Sequence, residues 1–518
     1  MPGLRKRVLW VDDEIELLRA HIMFLETRGY NVTPVFSGDD AVELVVDKGS
    51  EFDIVLLDEQ MPGRDGLATL VAIKDARPDL PVVMVTKSEE ENLMEQAIGK
   101  KIDGYLTKPV NPSQILLICK RLLDSKQLIA SEVKQQFLRH YSENTTVLRG
   151  RLETSHWIKL YENFARWDLQ LDALDDEGLR QAHAEQKSEG NAAFGNFIAE
   201  NYGGWIRGQN KPPLLSAGVL DRYVDPLLRA GEQVFFIVIS GMRLDQYLGI
   251  EEAARKYFSV QRHYYNAILP TDTYFARSSL MSGLYPDEIA EKYKEWSPGE
   301  KDQAVIAKNE KRFLADHLSR SGIKLADKFY YTRMTESAAF QSGIAKNAGA
   351  PFAVIVADFA NLFTKGNSPT PIVQEIAPDE RALRAITRTW FEHSVLLQFF
   401  RTLSKQKCAV VLTSDHGSVY CTRKTEIYGA NGIEAGLRYK FGKDITADER
   451  RAVTLTEPQH YRLPMQKKFP LCIIAKENFF FTAPENFRDA HLLNRNSFQQ
   501  GGISMEEMIM PLAVFRPL

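Results

Sequence analysis

The sequence predicts an α/β protein in three parts: an N-terminal doubly wound parallel sheet, a middle helical bundle, and a larger C-terminal α/β domain. Three observations carry this. At 518 residues the chain exceeds one ordinary core, and roughly two to four domains are expected. Residues 5–125 alternate short β-rich runs with amphipathic helical segments, the pattern of repeated βα units. After an aromatic-rich helical stretch, "NKPPLLSAGVL" breaks the periodicity at Pro212 and Pro213, and strand-like runs return. The expected boundaries are therefore 1–125, 126–215 and 216–518.

In the first part, "RVLWV", "NVTPVF", "FDIVLLD", "PVVMVT" and "DGYLTK" are strand-like. The intervening helices are "EIELLRAHIMFLETRG", "DDAVELVVDK", "DGLATLVAIKDARP" and "SEEENLMEQAIGK". Leu18, Ile22 and Leu25 recur on one face of the first of these. A fifth helix starts near Pro112, a residue favoured in a first turn, and runs on into the middle region. There "SEVKQQFLRHYSENTTVLRGRL", "HWIKLYENFARWDLQL" and "NAAFGNFIAENYGGWI" predict a small bundle with Trp157, Trp167 and Trp205 in its core. The third part offers buried-strand candidates "QVFFIVIS", "FAVIVADF", "CAVVLTSD" and "FPLCIIAK" separated by helical stretches, a second α/β domain.

Hydrophobic content of 44% and charged content of 26% are those of a soluble globular protein. A net charge of -3, with no basic run longer than "RKR", argues against broad nucleic-acid binding, which needs clustered cations. No helix-turn-helix signature or basic recognition helix follows the first part, so direct sequence-specific DNA binding is not expected. The four cysteines, Cys119, Cys408, Cys421 and Cys472, have neither CxxC nor framework spacing. The first residues do not have the pattern of a signal peptide, and apolar runs such as "VFFIVI" are far short of a membrane span. A cytoplasmic location is expected.

Two constellations carry chemistry. Asp12 and Asp13 end the first strand, Asp58 the third and Thr86 the fourth, and Lys108 follows the fifth. In an open parallel sheet the carboxyl ends of the strands line the ligand crevice, so these groups converge. Three carboxylates would repel one another, and a hard cation such as Mg²⁺ relieves this. A carboxylate oxygen is then placed to attack phosphorus, with Thr86 and Lys108 holding the transferred oxygens. Acids at strand ends also serve as helix caps, but all five on successive strands favour the phosphoryl site.

"VDDE", "LLDEQMPGRDG", "VTKS" and "GYLTKPVNP" resemble bacterial response-regulator receiver domains, which have a flavodoxin-like (CheY-like) fold. The resemblance implies that Asp58 is the phosphoacceptor. Asp12, Asp13, Asp58 and the carbonyl of Gln60 would hold Mg²⁺, and Thr86 and Tyr105 would form the switch pair. It also implies a sensor histidine kinase as donor and a homodimer on phosphorylation.

"RYVDPLLRAGEQVFFIVISGMRLDQY", "LPTDTYFARSSLMSGLYP", "VLTSDHGS" and "GGISMEEMIMPL" resemble the PglZ branch of the alkaline phosphatase superfamily. The order of parts is similar to PorX-type regulators of type IX secretion, which implies a sigma factor as partner. The superfamily uses two Zn²⁺ ions around a Thr or Ser nucleophile. The resemblance implies Thr273 as nucleophile, Asp415 and His416 as the metal-binding "DHG" pair, and Asp358 as a further metal carboxylate. Arg243 and Arg277 stand where arginines bind phosphate. Three positions depart: Ser240 replaces an Asp, and Leu362 and Gln500 each replace a His. Leucine cannot ligate, and a Gln carbonyl is a weak substitute for imidazole on zinc. One zinc ion or none is expected, with Asp245, Glu375 and His393 as the nearby groups able to compensate. Two functions stay open: a phosphorylation-gated interaction protein, or a receiver-gated phosphodiesterase acting on nucleotides or oligonucleotides.

Overall fold

The computed structural model describes residues 6–48, 51–87, 102–174, 176–296, 302–325, 328–334, 349–364, 375–429, 436–464, 470–482 and 494–518. They form two compact units, Met1–Arg139 and His140–Leu518. The helix predicted at "SEEENLMEQAIGK" lies outside the described residues. Among the described residues no helix is long and apolar enough to cross a membrane.

The first unit is built on strands β1 (Lys6–Val11), β2 (Tyr30–Val35), β3 (Ile54–Asp58), β4 (Val82–Thr86) and β5 (Gly104–Thr107). All are parallel, in the order β2-β1-β3-β4-β5, which is the flavodoxin-like winding. Successive side chains on a strand point to opposite faces. Leu9, Val11, Val55, Leu57 and Met84 therefore pack in one apolar cluster, while Val8, Trp10, Ile54, Leu56 and Val83 pack in another. Burial on both faces explains why these strands are almost continuously apolar. The helices are α1 (Arg19–Glu26), α2 (Gly38–Lys48), α3 (Gly66–Ala76) and α4 (Pro112–Leu148). The first predicted helix is divided, a 3₁₀ turn at Ile15–Leu18 preceding α1. Asp65 caps α3 by accepting from Ala68 N at 2.7 Å.

The second unit contains helices α5 (Thr154–Asp172) and α6 (Glu177–Ile206) and a six-stranded sheet. Its parallel strands β6 (Val234–Ile239), β8 (Tyr330–Arg333), β9 (Phe352–Ala357) and β10 (Ala409–Thr413) lie in the order β10-β6-β9-β8. The sheet is extended on its β10 side by the C-terminal strand Ile509–Pro517 and then β7 (Phe258–Asn266), each antiparallel to the strand before it. The strand predicted at "FPLCIIAK" forms at Leu471–Ala475, but in a separate antiparallel sheet with Tyr439–Gly442 and Ala452–Thr456. Helix α7 (Leu244–Ala254) follows β6, and α8 (Glu380–His393) lies between β9 and β10 in sequence.

The middle helices do not close a core of their own. Trp157, Phe194 and Trp205 belong to the same apolar cluster as Phe235, Ile237, Val354 and Leu412 of the sheet strands. Trp157 and Phe194 meet edge to face at 5.3 Å between ring centroids, a favourable arrangement of aromatic quadrupoles. Trp167 is also buried.

A buried ionic network reinforces this packing. Lys187 of α6 lies 3.1 Å from Asp168 and 3.4 Å from both Glu380 and Glu506. Arg384 binds Asp172 through two 2.7 Å hydrogen bonds and Asp245 at 3.1 Å. Asn191 donates to Glu506 at 2.9 Å.

Candidate functional site

The first site gathers at the carboxyl ends of β1, β3, β4 and β5. Carboxylate oxygens of Asp12, Asp13 and Asp58 all come within 4.8 Å of one another. Asp12 and Asp58 are buried and Asp13 is exposed, so the pocket opens to solvent on the Asp13 side. Lys108 Nζ bridges Asp12 at 2.8 Å and Asp58 at 2.9 Å. Burial raises the Asp58 carboxyl above its ordinary range despite Lys108. The Lys108 ammonium, disfavoured by burial, is held protonated by hydrogen bonds to Asp12 and Asp58. Gly66 permits the close approach of α3, because a Cβ there would lie 2.4 Å from the Asp58 carbonyl oxygen.

This trio fits a divalent metal: hard oxygens, partly solvated, carrying excess negative charge. Gln60 is exposed beside it, Thr86 is buried, and Tyr105 is half-buried. Sequence reasoning missed Glu59, whose carboxylate accepts the hydroxyl hydrogen bond of Thr86. Glu59 stands one residue past the predicted strand "FDIVLLD", and its partner Thr86 lies at the end of the neighbouring strand.

The second site gathers at the carboxyl ends of β6, β9 and β10, where Ser240, Asp358 and Asp415 follow strands in direct register. Asp272 caps the short helix that carries Thr273, accepting from Phe275 N at 3.0 Å, and is itself held by the Tyr439 hydroxyl. Thr273 Oγ1 lies 3.2 Å from His416 Nε2 and accepts from Asn361 Nδ2 at 3.3 Å. His416 Nδ1 lies 3.0 Å from the Gly417 carbonyl. That contact assigns the proton to Nδ1 and turns the lone pair of Nε2 toward Thr273. Asp415 is fully buried and accepts from Ser240 Oγ at 2.9 Å, Gly241 N at 3.1 Å and His416 N at 3.0 Å. Gly417 is required by packing, because a Cβ would lie 1.8 Å from the Glu506 carbonyl oxygen.

Both arginines expected to bind phosphate are engaged by carboxylates of the chain itself. Arg243 is 1% exposed and binds Asp245 through Nε at 2.9 Å and NH2 at 2.6 Å. Its NH1 lies 2.5 Å from Glu380, off the axis of a hydrogen bond. Arg277 is equally buried, donating to Glu310 at 2.7 Å and to Asp358 at 2.9 Å. In both cases nearby carboxylates satisfy a guanidinium that burial would otherwise penalise.

Asp358 receives a second guanidinium, that of Arg333. Burial would raise its carboxyl, but Arg277 and Arg333 overcome this and hold it below the ordinary range. Arg333 and Asn361 were missed from the sequence. Asn361 stands in "DFANL", one residue before Leu362.

Zinc does not fit this set. Leu362 is 43% exposed and offers no donor, and Ser240 is committed to Asp415. Among the described residues, His, Cys, Asp and Glu side chains assemble in threes only at Asp12, Asp13 and Asp58 and at Asp221, Asp225 and His317. Nor do the compensating candidates supply ligands: Asp245 is engaged by Arg243 and Arg384, and Glu375 and His393 are exposed. The cavity beside Thr273 holds about 20 Å³, room for about one water.

Residues 8–120 match the response regulator receiver domain, and residues 127–206 match the PorX response regulator linker domain. Residues 219–515 match the BREX system PglZ alkaline phosphatase-like domain. Among curated relatives, the transcriptional regulatory protein ResD of Bacillus subtilis (strain 168) is 34% identical over 119 residues. That stretch is 23% of this chain and 48% of ResD, so the chain spans about half the length of the curated relative it matches.

Solved structures similar to the chain include a CheY-like receiver domain protein from Methanospirillum hungatei JF-1. It is 28% identical over 24% of this chain and 96% of that one, with a TM-score of 0.23. The CheX-CheY-BeF3-Mg²⁺ complex from Borrelia burgdorferi provides another, 25% identical over 23% of this chain and 89% of that one, with a TM-score of 0.22.

The acid pocket on a 2-1-3-4-5 sheet is that of a response-regulator receiver domain, in series with a phosphatase-like α/β domain. The matched residues 219–515 are more than half of the chain. The chain belongs to the PglZ family, in the receiver–linker–PglZ order of PorX-type regulators.

Proposed function

We propose that the protein is a phosphorylation-gated regulator in which Asp58 accepts a phosphoryl group and the PglZ domain acts as an interaction module. A carboxylate oxygen of Asp58 attacks the phosphorus of a phosphohistidine on a sensor kinase. The P–O bond forms as the P–N bond breaks, and the imidazole leaves with its electron pair. Asp12, Asp13, Asp58 and the Gln60 carbonyl would hold Mg²⁺, which when bound neutralises the acidic pocket and the incoming phosphoryl oxygens. Lys108 holds the transferred group, and Thr86 and Tyr105 carry the change to a homodimer. The output partner is a sigma factor, with type IX secretion genes as the target, in keeping with the PorX-type order of domains.

One contrast carries this reading. The acidic trio of the receiver gathers three hard oxygen donors, whereas the Thr273 site has a hydroxyl already held by Asp415 at Ser240, no donor at Leu362, and Asp358 taken by two arginines. A second reading, a phosphodiesterase with Thr273 as nucleophile, is favoured by one observation, the 3.2 Å contact of Thr273 with His416 Nε2.

Acetyl phosphate with Mg²⁺ tests the receiver chemistry. The wild type gains a phosphoryl group, Asp58→Asn does not, and sedimentation shifts from monomer toward dimer only in the former. Equal labelling of both proteins would refute the assignment. Turnover of a bis-nitrophenyl phosphodiester that Thr273→Val abolishes would replace the interaction reading with the second one.

A further inference from the structure

We infer that the guanidinium groups of Arg277 and Arg333 take the place of a metal ion at Asp358, so that this position is closed to zinc and assembled without it. The inference rests on the non-catalytic reading of the PglZ domain and adds what holds its site together.

Both carboxylate oxygens of Asp358 are occupied. Oδ1 accepts from Arg277 NH1 at 2.9 Å, and Oδ2 accepts from Arg333 NH2. Each arginine is fixed from behind or by burial. Arg277 is 1% exposed, and its Nε is tied to Glu310 at 2.7 Å. Glu310 in turn accepts from the Tyr331 hydroxyl, and Tyr331 lies two residues before Arg333 on the same face of β8. The Arg333 side chain is 8% exposed, and among the described residues its Nε and NH1 have no hydrogen-bond partner. Among those residues the buried guanidinium is held by the charge of Asp358 rather than by a full hydrogen-bond set.

A divalent ion at Asp358 would have to displace one or both arginines, find replacements for their buried charge, and tolerate Arg277 beside it. Asp415 lies 3.8 Å from the same Arg277 NH1, so this guanidinium spans the carboxylates expected to serve separate zinc ions. Leu362 and Gln500 remove the imidazoles that would compete with it. The loss of the ligands and the arginine pairing are then one change: without the ions, the carboxylates need a cation that is part of the chain.

The two accounts predict opposite behaviour of Asp358→Asn in the full-length protein stripped with EDTA. A metal-ligand carboxylate without its metal is under repulsion, so the amide would leave the melting temperature unchanged or raise it. A carboxylate that neutralises two buried arginines is missed at once. We expect Asp358→Asn to melt roughly 4–6 °C lower in EDTA, by the usual cost of breaking a buried pair, and by the same amount with added ZnCl₂. Zinc content, measured by plasma mass spectrometry after dialysis, should be equal in wild type and variant.

Arg333→Met gives an independent measurement should the Asp358 variant fail to fold. It should melt lower than wild type, and no zinc-dependent recovery should exceed that of wild type with Arg277 still in place. Zinc bound by the wild type and lost in Asp358→Asn would overturn the inference, as would an Asp358→Asn protein that melts at or above wild type in EDTA. These outcomes are distinct from phosphodiester turnover, which bears on the non-catalytic reading itself.

Discussion

Lys187→Met isolates the charge at the centre of the buried network, because the methionine retains most of the apolar stem of the lysine. Lys187 is 8% exposed in its side chain and lies within 3.4 Å of three carboxylates, those of Asp168, Glu380 and Glu506. Removing the ammonium leaves those carboxylates to Arg243, Arg384 and His183, none of which contacts all three. Breaking a buried ion pair from one side costs about 3–5 kcal/mol. At about 1.3 °C per kcal/mol for a unit of this size, the unfolding transition of His140–Leu518 should fall by roughly 4–6 °C in scanning calorimetry. The double variant Lys187→Met/Glu380→Gln should recover part of the loss, with a coupling of about 1 kcal/mol or more. A Lys187→Met protein melting within about 2 °C of wild type would refute the reasoning, since the network would then be decorative.

Two further outcomes follow from the geometry. Burial alone would raise the Glu380 carboxyl, but Arg243 and Lys187 hold it down to about 2 against an ordinary 4.5. A depressed carboxylate stabilises the fold above its unfolded value and loses that contribution as pH falls toward the folded one. Urea melts should therefore show stability declining between about pH 4.5 and pH 2, with a smaller decline in Glu380→Gln; equal slopes would exclude Glu380 as the source. In the receiver, Glu59 holds the Thr86 hydroxyl that a phosphorylated Asp58 would recruit. A hydrogen bond to a charged acceptor contributes about 1.5–3 kcal/mol. Glu59→Ala should thus raise the steady-state phosphorylated fraction at limiting acetyl phosphate, by roughly 10- to 150-fold in the underlying ratio, read on a phosphate-affinity gel. An unchanged fraction would remove Glu59 from the switch.

The receiver was legible in the sequence because its chemistry is local. Asp12, Asp58, Thr86 and Lys108 each stand at the end of an apolar run, and parallel winding alone brings such ends together. Glu59 escaped because its partner arrives from the adjacent strand, with Asp58 of β3 in register with Val85 of β4. The second domain was harder. Its strands β6, β9 and β10 were visible as apolar runs, but the antiparallel strand Ile509–Pro517 and β7 joined the same sheet without a comparable signal. The ligand departures at Ser240, Leu362 and Gln500 could be read residue by residue. What replaced the ligands could not, because Arg333 and Glu310 approach Arg277 and Asp358 from distant segments. Of the two carboxylates that hold Arg243, Asp245 stands two residues on, whereas Glu380 arrives from a distant helix that the sequence did not bring near.

The sharing of one apolar cluster by Trp157, Phe194, Trp205 and the sheet strands has a consequence for modularity. The chain has a natural seam within α4, between Arg139 and His140, and none at the proline pair 212–213. A PglZ domain cut away at residue 216 would carry off a sheet stripped of the helices that cover it, exposing apolar surface that invites aggregation. Exchange of receivers among regulators of this type would leave the rest cooperative only if the breakpoint falls ahead of His140. The middle helices then travel with the phosphatase-like domain as part of its inherited unit, and a segment that reads as a linker in sequence behaves in folding as a wall of the domain that follows it.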